Sequence, residues 1–168
     1  MEQVNHFYDL FNTPSHVKGH CKEVTRVAMT IAKALNHCGY NLDTELIFGA
    51  GMCHDLARTS REHWNVGADF LVEKGYLQES EIVRAHMSHH FNPVDKLNET
   101  DMICLGDRLV CENAYVGIDK RFQYIMDKAP KRPGVKEHLI EQRELMRNLL
   151  RQIEQRIGVE IDALCTGD

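Results

Sequence analysis

The chain has 168 residues, and its 20 lysines and arginines against 25 aspartates and glutamates leave a formal net charge of −5. That length fits one domain and excludes a large multi-domain machine, and the acidic balance argues against a dedicated nucleic-acid binder. With 43% hydrophobic residues, the chain is expected to fold rather than to stay disordered. Its ten histidines are more than we expect from exposed surface positions alone, so some of them are expected to have a functional role.

No part of the sequence is expected to cross a membrane. The longest strictly apolar run covers the eight residues Leu46 to Cys53, whereas a membrane-spanning helix needs about 20. The first residues lack the basic start and apolar stretch of a secretory signal, and the six cysteines form no CxxC pair. We therefore expect a cytoplasmic protein whose cysteines are small, mostly buried hydrophobes.

Apolar residues recur every three or four positions along most of the chain, and no segment shows the alternation of a strand between hairpin turns. The predicted fold class is therefore all-α. The seven predicted helices cover about 14–37, 44–53, 60–74, 79–90, 98–110, 118–128 and 135–157.

Polar residues mark the beginnings of several predicted helices. Asp43 is expected to cap the second helix and Ser60 the third, while Asn98 or Thr100 begins the fifth. A break at 129–134, which is rich in proline and basic residues, separates the sixth helix from the last.

Two predicted helices carry residues with metal-binding or acid–base chemistry at informative places. The second helix is apolar on every side, which is typical of a buried central helix, and it ends directly at His54 and Asp55. The fourth helix is expected to present His86 together with His89 or His90 on one face before a proline stops it.

Histidines and aspartates at inward positions of five predicted helices suggest a metal site, because imidazoles and carboxylates are ligands of divalent cations. Neighbouring residues on a helix point about 100° apart, so His54 and Asp55 are not expected to chelate one ion side by side. A carboxylate there can instead bridge two ions about 3.5–4 Å apart, the arrangement used in hydrolysis at phosphorus. The candidate ligands are His20, His54, Asp55, His63, His86 and Asp107.

The order of these residues resembles the HD-domain metal-dependent phosphohydrolase superfamily. The resemblance lies in a histidine on a first helix (His20), an adjacent His54-Asp55 pair at the end of a buried helix, and a distant Asp107. His63 before Gly67-Ala68, and His86 after a short apolar stretch, are similar to the additional histidines of two-metal members. The likeness covers about residues 13–127 of a single expected HD domain, 1–168, with an amphipathic C-terminal helix at 135–157.

The resemblance implies a bundle of about six to eight helices around a buried metal site, holding one or two divalent ions of Fe, Mn, Ni, Mg or Zn. It implies hydrolysis of phosphate esters or anhydrides of a small molecule, such as a nucleotide, by attack of metal-bound hydroxide. Asp55, His86 and Arg58 are then the expected catalytic residues. Gly106 stands where alanine is usual in the family, a difference expected to matter little.

Three further residues are candidates for binding the substrate. Arg58 follows Asp55 by three positions and can lean over the metal site with a guanidinium that suits phosphate. Lys18 lies in the helical turn that precedes His20, and His90 lies one turn beyond His86. Lys18 also fits the role of a solvated lysine, and His90 that of a residue at a helix end. The role of His89 is likewise open.

Several alternatives remain open from the sequence. We expect a small phosphorylated substrate and neither nucleic acid nor membrane as partner, and the long last helix leaves a homodimer open. An HD-fold di-iron oxygenase and a non-catalytic, metal-dependent nucleotide-binding module are the rival hypotheses.

Overall fold

The computed structural model of the chain describes residues 1–167 and confirms the all-α prediction. Two short helices at the ends of the chain add to the seven that were predicted. The α-helices are α1 (Glu2–Leu10), α2 (Ser15–His37), α3 (Thr44–Cys53), α4 (His63–Glu73), α5 (Leu77–Ala85), α6 (Glu99–Leu109), α7 (Gly117–Lys128), α8 (Val135–Ile157) and α9 (Ile161–Thr166). A short 3-10 helix (Val94–Lys96) precedes α6.

Helix α2 is the central element of the bundle and packs against both α3 and α6. Its inward side is a continuous stripe of apolar residues at helical spacing, and helix amphipathicity of this kind directs one face into the core. The buried residues of that stripe are Val17, Cys21, Val24, Val27, Ala28, Ile31, Ala32 and Leu35.

Two glycines allow the helices to approach α2 closely. A Cβ atom added at Gly51 of α3 would lie 2.6 Å from Thr25 Oγ1, and one added at Gly106 of α6 would lie 2.7 Å from the backbone oxygen of Val24. The expectation that glycine rather than alanine at position 106 matters little is therefore wrong, because a backbone oxygen cannot rotate away as a side chain can.

Side-chain caps define where α3 and α6 begin. Asp43 accepts hydrogen bonds from the backbone nitrogens of Glu45 and Leu46 at 2.9 and 3.0 Å, as predicted. Asn98 begins α6 in a capping box with Asp101, so of the two residues considered it is Asn98 that caps this helix.

Two predicted helix ends are wrong. Helix α4 begins at His63 rather than at a Ser60 cap, after Glu62 in a left-handed conformation with φ of 54°. Helix α5 ends at Ala85, so His89 and His90 lie beyond it and do not share a helical face with His86. The segment after α5 is held instead by Asp101, which accepts hydrogen bonds from His89 and Asn92.

A two-stranded antiparallel hairpin joins α6 to α7, where no strand was predicted. Its strands, β1 (Val110–Cys111) and β2 (Ala114–Tyr115), are only two residues long. Strands of that length are too short to produce an alternating pattern. The turn between them contains Glu112 with a φ of 56°, which brings its carbonyl close to α2.

The long helix α8 completes the core. Met146, Leu149, Leu150 and Ile153 are its buried residues and belong to the larger of two hydrophobic clusters, which also includes the inner face of α2. Among residues 1–167, none of the helices is both long and apolar enough to span a bilayer.

Candidate metal centre

The six candidate ligands converge because α2 packs against α3 and α6, while α5 packs against both α3 and α4. They lie near helix ends, where side chains can turn toward a common point. His20 lies on α2, His54 and Asp55 follow α3, His63 begins α4, His86 follows α5, and Asp107 lies in the last turn of α6.

The convergence produces two groups of three. One group contains His20, His54 and Asp107, and the other contains Asp55, His63 and His86. Within each group, one nitrogen or oxygen atom from every residue lies within 4.8 Å of the others. The His54 and His86 ring centroids are 5.4 Å apart, so the groups adjoin one another. We call them the His54 triad and the Asp55 triad.

The two triads differ in their exposure to solvent. His54, Asp55, His63 and His86 are all buried. The side chains of His20 and Asp107 are 14% and 27% exposed. The centre therefore opens to solvent along the edge formed by His20 and Asp107.

Backbone hydrogen bonds fix the orientation of three of the histidine rings. Nδ1 of His20 donates to the carbonyl of Glu112 at 2.7 Å, that of His54 to Gly51 at 2.8 Å, and that of His86 to Val83 at 2.6 Å. Because a neutral imidazole carries one proton, these assignments leave Nε2 of each ring with a free lone pair. Orientation of this kind is typical of metal-ligating histidines.

One direct observation indicates that these donor atoms suit a divalent cation. Nε2 of His54 is buried and has no hydrogen-bond partner among the residues that the structure describes. Leaving a buried polar atom unpaired costs about 1–3 kcal/mol, so such atoms in native proteins usually have a partner, and a bound cation can be that partner. Burial also lowers the pKa of His54, which keeps its ring neutral and able to coordinate.

Asp55 holds its charge in the buried interior. Its Oδ1 lies 2.9 Å from Nε2 of His63 and 3.7 Å from Nε2 of His86, and its Oδ2 lies 3.5 Å from Nε of Arg58. Burial alone would raise the pKa of Asp55, but the interactions with His63 and His86 outweigh it and hold that pKa well below its usual range. The carboxylate is therefore ionised, as a metal ligand must be.

His20 and Asp107 also form a contact between a histidine and a carboxylate, with Nε2 to Oδ1 at 3.1 Å. Since Nδ1–H of His20 already donates to Glu112, a second proton or a cation has to lie between Nε2 and Oδ1. Burial disfavours a charged His20, yet the hydrogen bond to Asp107 outweighs it and raises the pKa of His20. A bound cation would replace that proton.

Of the three candidate substrate contacts, only Arg58 reaches the centre. Its side chain is 49% exposed and touches Asp55, while Nη1 lies 3.2 Å from Nε2 of His63. Lys18 instead pairs with Asp9 of α1 at 3.3 Å. His90 is exposed and lines a separate cleft of about 650 Å³.

The structure adds an arginine that the sequence did not single out as a site residue. Arg121 of α7 places Nη2 3.9 Å from Oδ1 of Asp107. The two residues are 14 positions apart, and the intervening hairpin turns α7 back beside α6. The sequence offered only a basic residue on an amphipathic helix, which by itself does not distinguish a site residue from a solvated one.

Comparisons with known proteins agree with this geometry. A family model described as "HD domain" matches residues 17–112, more than half of the chain, and that span contains all six candidate ligands. The chain is similar to an uncharacterized protein, MJ0778, of Methanocaldococcus jannaschii, with 38% identity over 64 residues. The match covers 36% of this chain and 38% of that relative, well under half of either. No solved structure matches the chain significantly.

Proposed function

The chain belongs to the HD domain family, and from that premise we propose that it is a metal-dependent phosphohydrolase acting on a small phosphorylated molecule. The single observation that carries the proposal is the buried Nε2 of His54, which has no hydrogen-bond partner among residues 1–167 and belongs to one of two adjoining groups of histidines and aspartates. Two adjoining triads support a centre for two ions. A divalent cation held there supplies positive charge for the nonbridging oxygens of a phosphate and acidifies water.

The protein's own side chains have distinct parts in this proposal. His20, His54 and Asp107 would hold one cation, and Asp55, His63 and His86 would hold the other. The backbone carbonyls of Glu112, Gly51 and Val83 keep three of the rings in the coordinating tautomer. The centre is thus preorganised, so little rearrangement is needed when metal and substrate bind.

Arg58 is proposed to bind the phosphate. Half of its side chain is exposed at the rim of the centre, and its contact with Asp55 at 3.5 Å is too long to occupy the guanidinium fully. It can therefore donate to a phosphate oxygen while remaining beside the Asp55 triad.

His86 is better placed as a ligand than as a proton donor. Its Nδ1–H donates to the carbonyl of Val83 at 2.6 Å, and its Nε2 lies on the side of Asp55. A neutral ring in this tautomer has no proton on Nε2 to give to a leaving group. We therefore assign its contribution to catalysis to metal binding.

The proposal is tested by identifying the metal that the purified protein retains and then screening for phosphate release with that metal. The screen covers mononucleotides, dinucleoside polyphosphates, cyclic nucleotides and sugar phosphates. Asp55→Ala should abolish hydrolysis and most metal binding, while the helical circular dichroism signal stays largely intact. Asp69→Ala is the control, because Asp69 is an exposed carboxylate that pairs with Arg84 outside the centre.

Two results would oppose the proposal. Full activity of Asp55→Ala against the best substrate would remove the centre from the mechanism. Oxygen uptake by the iron-loaded protein, without metal-dependent phosphate release, would favour an oxygenase instead.

A further inference from the structure

The guanidinium of Arg121 has hydrogen-bond donors that no group among the described residues accepts. Its side chain is only 18% exposed, and its Nε is buried without a hydrogen-bond partner among residues 1–167. Desolvating a guanidinium N–H without giving it an acceptor is unfavourable, so a buried group of this kind is expected to have a partner. No side chain or backbone group of the described residues supplies that acceptor.

Asp107 does not satisfy this arginine. Nη2 of Arg121 lies 3.9 Å from Oδ1 of Asp107, beyond hydrogen-bond distance, whereas His20 approaches the same oxygen to 3.1 Å. A paired arginine and carboxylate would lie about 2.7–2.9 Å apart. The aromatic ring of Tyr124, 5.7 Å from the guanidinium carbon, instead packs near the guanidinium. The side chain is therefore positioned by packing, and its donors remain available.

The two arginines at the centre occupy different sides of it. Arg58 contacts Asp55, whereas Arg121 approaches Asp107 of the His54 triad, on the edge that opens to solvent. Each triad thus has one guanidinium beside its carboxylate. With one phosphate group beside Arg58 at the Asp55 triad, Arg121 is placed to receive a second group at the His54 triad.

We propose that Arg121 forms a second phosphate subsite, so that the preferred substrates carry two linked phosphate groups rather than a single phosphate ester. The inference rests on the proposed function and specifies its substrate class as phosphoanhydrides. A guanidinium presents two donors in a planar fork that matches two oxygens of one phosphate group. Cations bound at the triads would offset the charge of Asp107, which would otherwise repel that group.

The test measures binding rather than turnover. Metal-loaded protein is titrated calorimetrically with inorganic phosphate and with methylenediphosphonate, which has two phosphorus centres but no hydrolysable anhydride. Because diphosphonates also chelate metals, the metal content of the protein is measured after each titration. The variants are Arg121→Gln, Arg121→Lys and the matched control Arg143→Gln.

Arg143 is a suitable control because its Nε is also buried without a partner and its side chain is 24% exposed, but it lies on α8 and pairs with Glu144. Arg121→Gln should weaken the binding of methylenediphosphonate about 10-fold or more, the loss of one strong charge-assisted contact. Phosphate binding should change less than about threefold. Arg121→Lys keeps the charge but not the fork and should be intermediate, and Arg143→Gln should resemble the wild type.

Equal weakening of both anions by Arg121→Gln, or no change in diphosphonate binding, would overturn the subsite. If Arg121→Gln fails to fold, Arg121→Lys decides by the same comparison between the two anions. Selective diphosphonate binding that depends on Arg121, in a protein that hydrolyses nothing, would keep the subsite and reject the hydrolase. Hydrolysis of monoesters at a rate that the Arg121 substitutions do not change would keep the hydrolase and reject the subsite.

Discussion

Replacement of Gly106 by alanine tests whether close packing of α6 against α2 positions the metal centre. Gly106 faces the backbone oxygen of Val24, and an added Cβ would lie 2.7 Å from that oxygen and 3.4 Å from the Cβ of Ala28. An ordinary carbon-to-oxygen contact is about 3.3 Å or longer, so the two helices would have to separate by about 0.6 Å.

The cost of this separation can be estimated from known effects. Overpacking a core costs about 1–3 kcal/mol, and the upper end applies because the obstacle is backbone. Replacing glycine by alanine within a helix returns about 1 kcal/mol. The free energy of unfolding should therefore fall by about 2 kcal/mol, which for a chain of this size lowers the melting temperature by roughly 4–8 °C.

The same separation should also impair the centre, because α2 carries His20 and α6 carries Asp107. Their ligand atoms are 3.1 Å apart, and widening that gap should weaken metal affinity by about 10-fold. Urea unfolding followed by circular dichroism measures the first effect, and competition with a metal-binding dye measures the second.

Gly49→Ala is the matched control, since Gly49 is also a helical glycine. A Cβ there would meet only the flexible side chain of Glu79, at 3.1 Å. This variant should be as stable as the wild type or slightly more so. If Gly106→Ala were equally well tolerated and bound metal normally, the packing argument would be refuted.

Two further predictions concern stability. The pKa of Glu23 is lowered because Arg26 donates hydrogen bonds to its carboxylate. The ionised carboxylate therefore stabilises the folded state above the unfolded-state pKa of about 4.5, and this contribution is lost as the pH falls through the lower folded-state pKa. The melting temperature of Glu23→Gln should therefore lie furthest below that of the wild type near pH 7, and a gap that widened on acidification would contradict this. Reloading chelator-treated protein with its metal at about 100 times the dissociation constant should add about 2.7 kcal/mol per site, seen as a higher melting temperature, whereas an unchanged melting temperature would speak against a cation bound by the folded state.

The burial of His54 and Asp55 was predictable because its signal is local. A helix that is apolar on every side has to be buried, so His54 and Asp55 at its end had to lie near the core. The cap at Asp43 was also predictable, since it depends on residues two or three positions away, and Asn98 was one of the two residues considered for the start of α6.

The features that were missed depend on contacts between distant segments. Helix α5 stops at Ala85 while Asp101, far along the chain, holds the following segment through His89 and Asn92. Arg121 reaches Asp107 only because a hairpin of two-residue strands reverses the chain. Periodicity along one helix carries no information on either contact.

The proposed metal centre is tested most directly by the metal stoichiometry of the purified wild-type protein and of His54→Gln. Elemental analysis after reloading and gel filtration measures that stoichiometry. His54 supplies a buried Nε2 that has no hydrogen-bond partner in the described part of the chain. We expect about two divalent ions per chain in the wild type and the loss of at least one of them in His54→Gln, with the helical content unchanged. A wild-type protein that retains no divalent metal, or a variant that retains as much as the wild type, would contradict it.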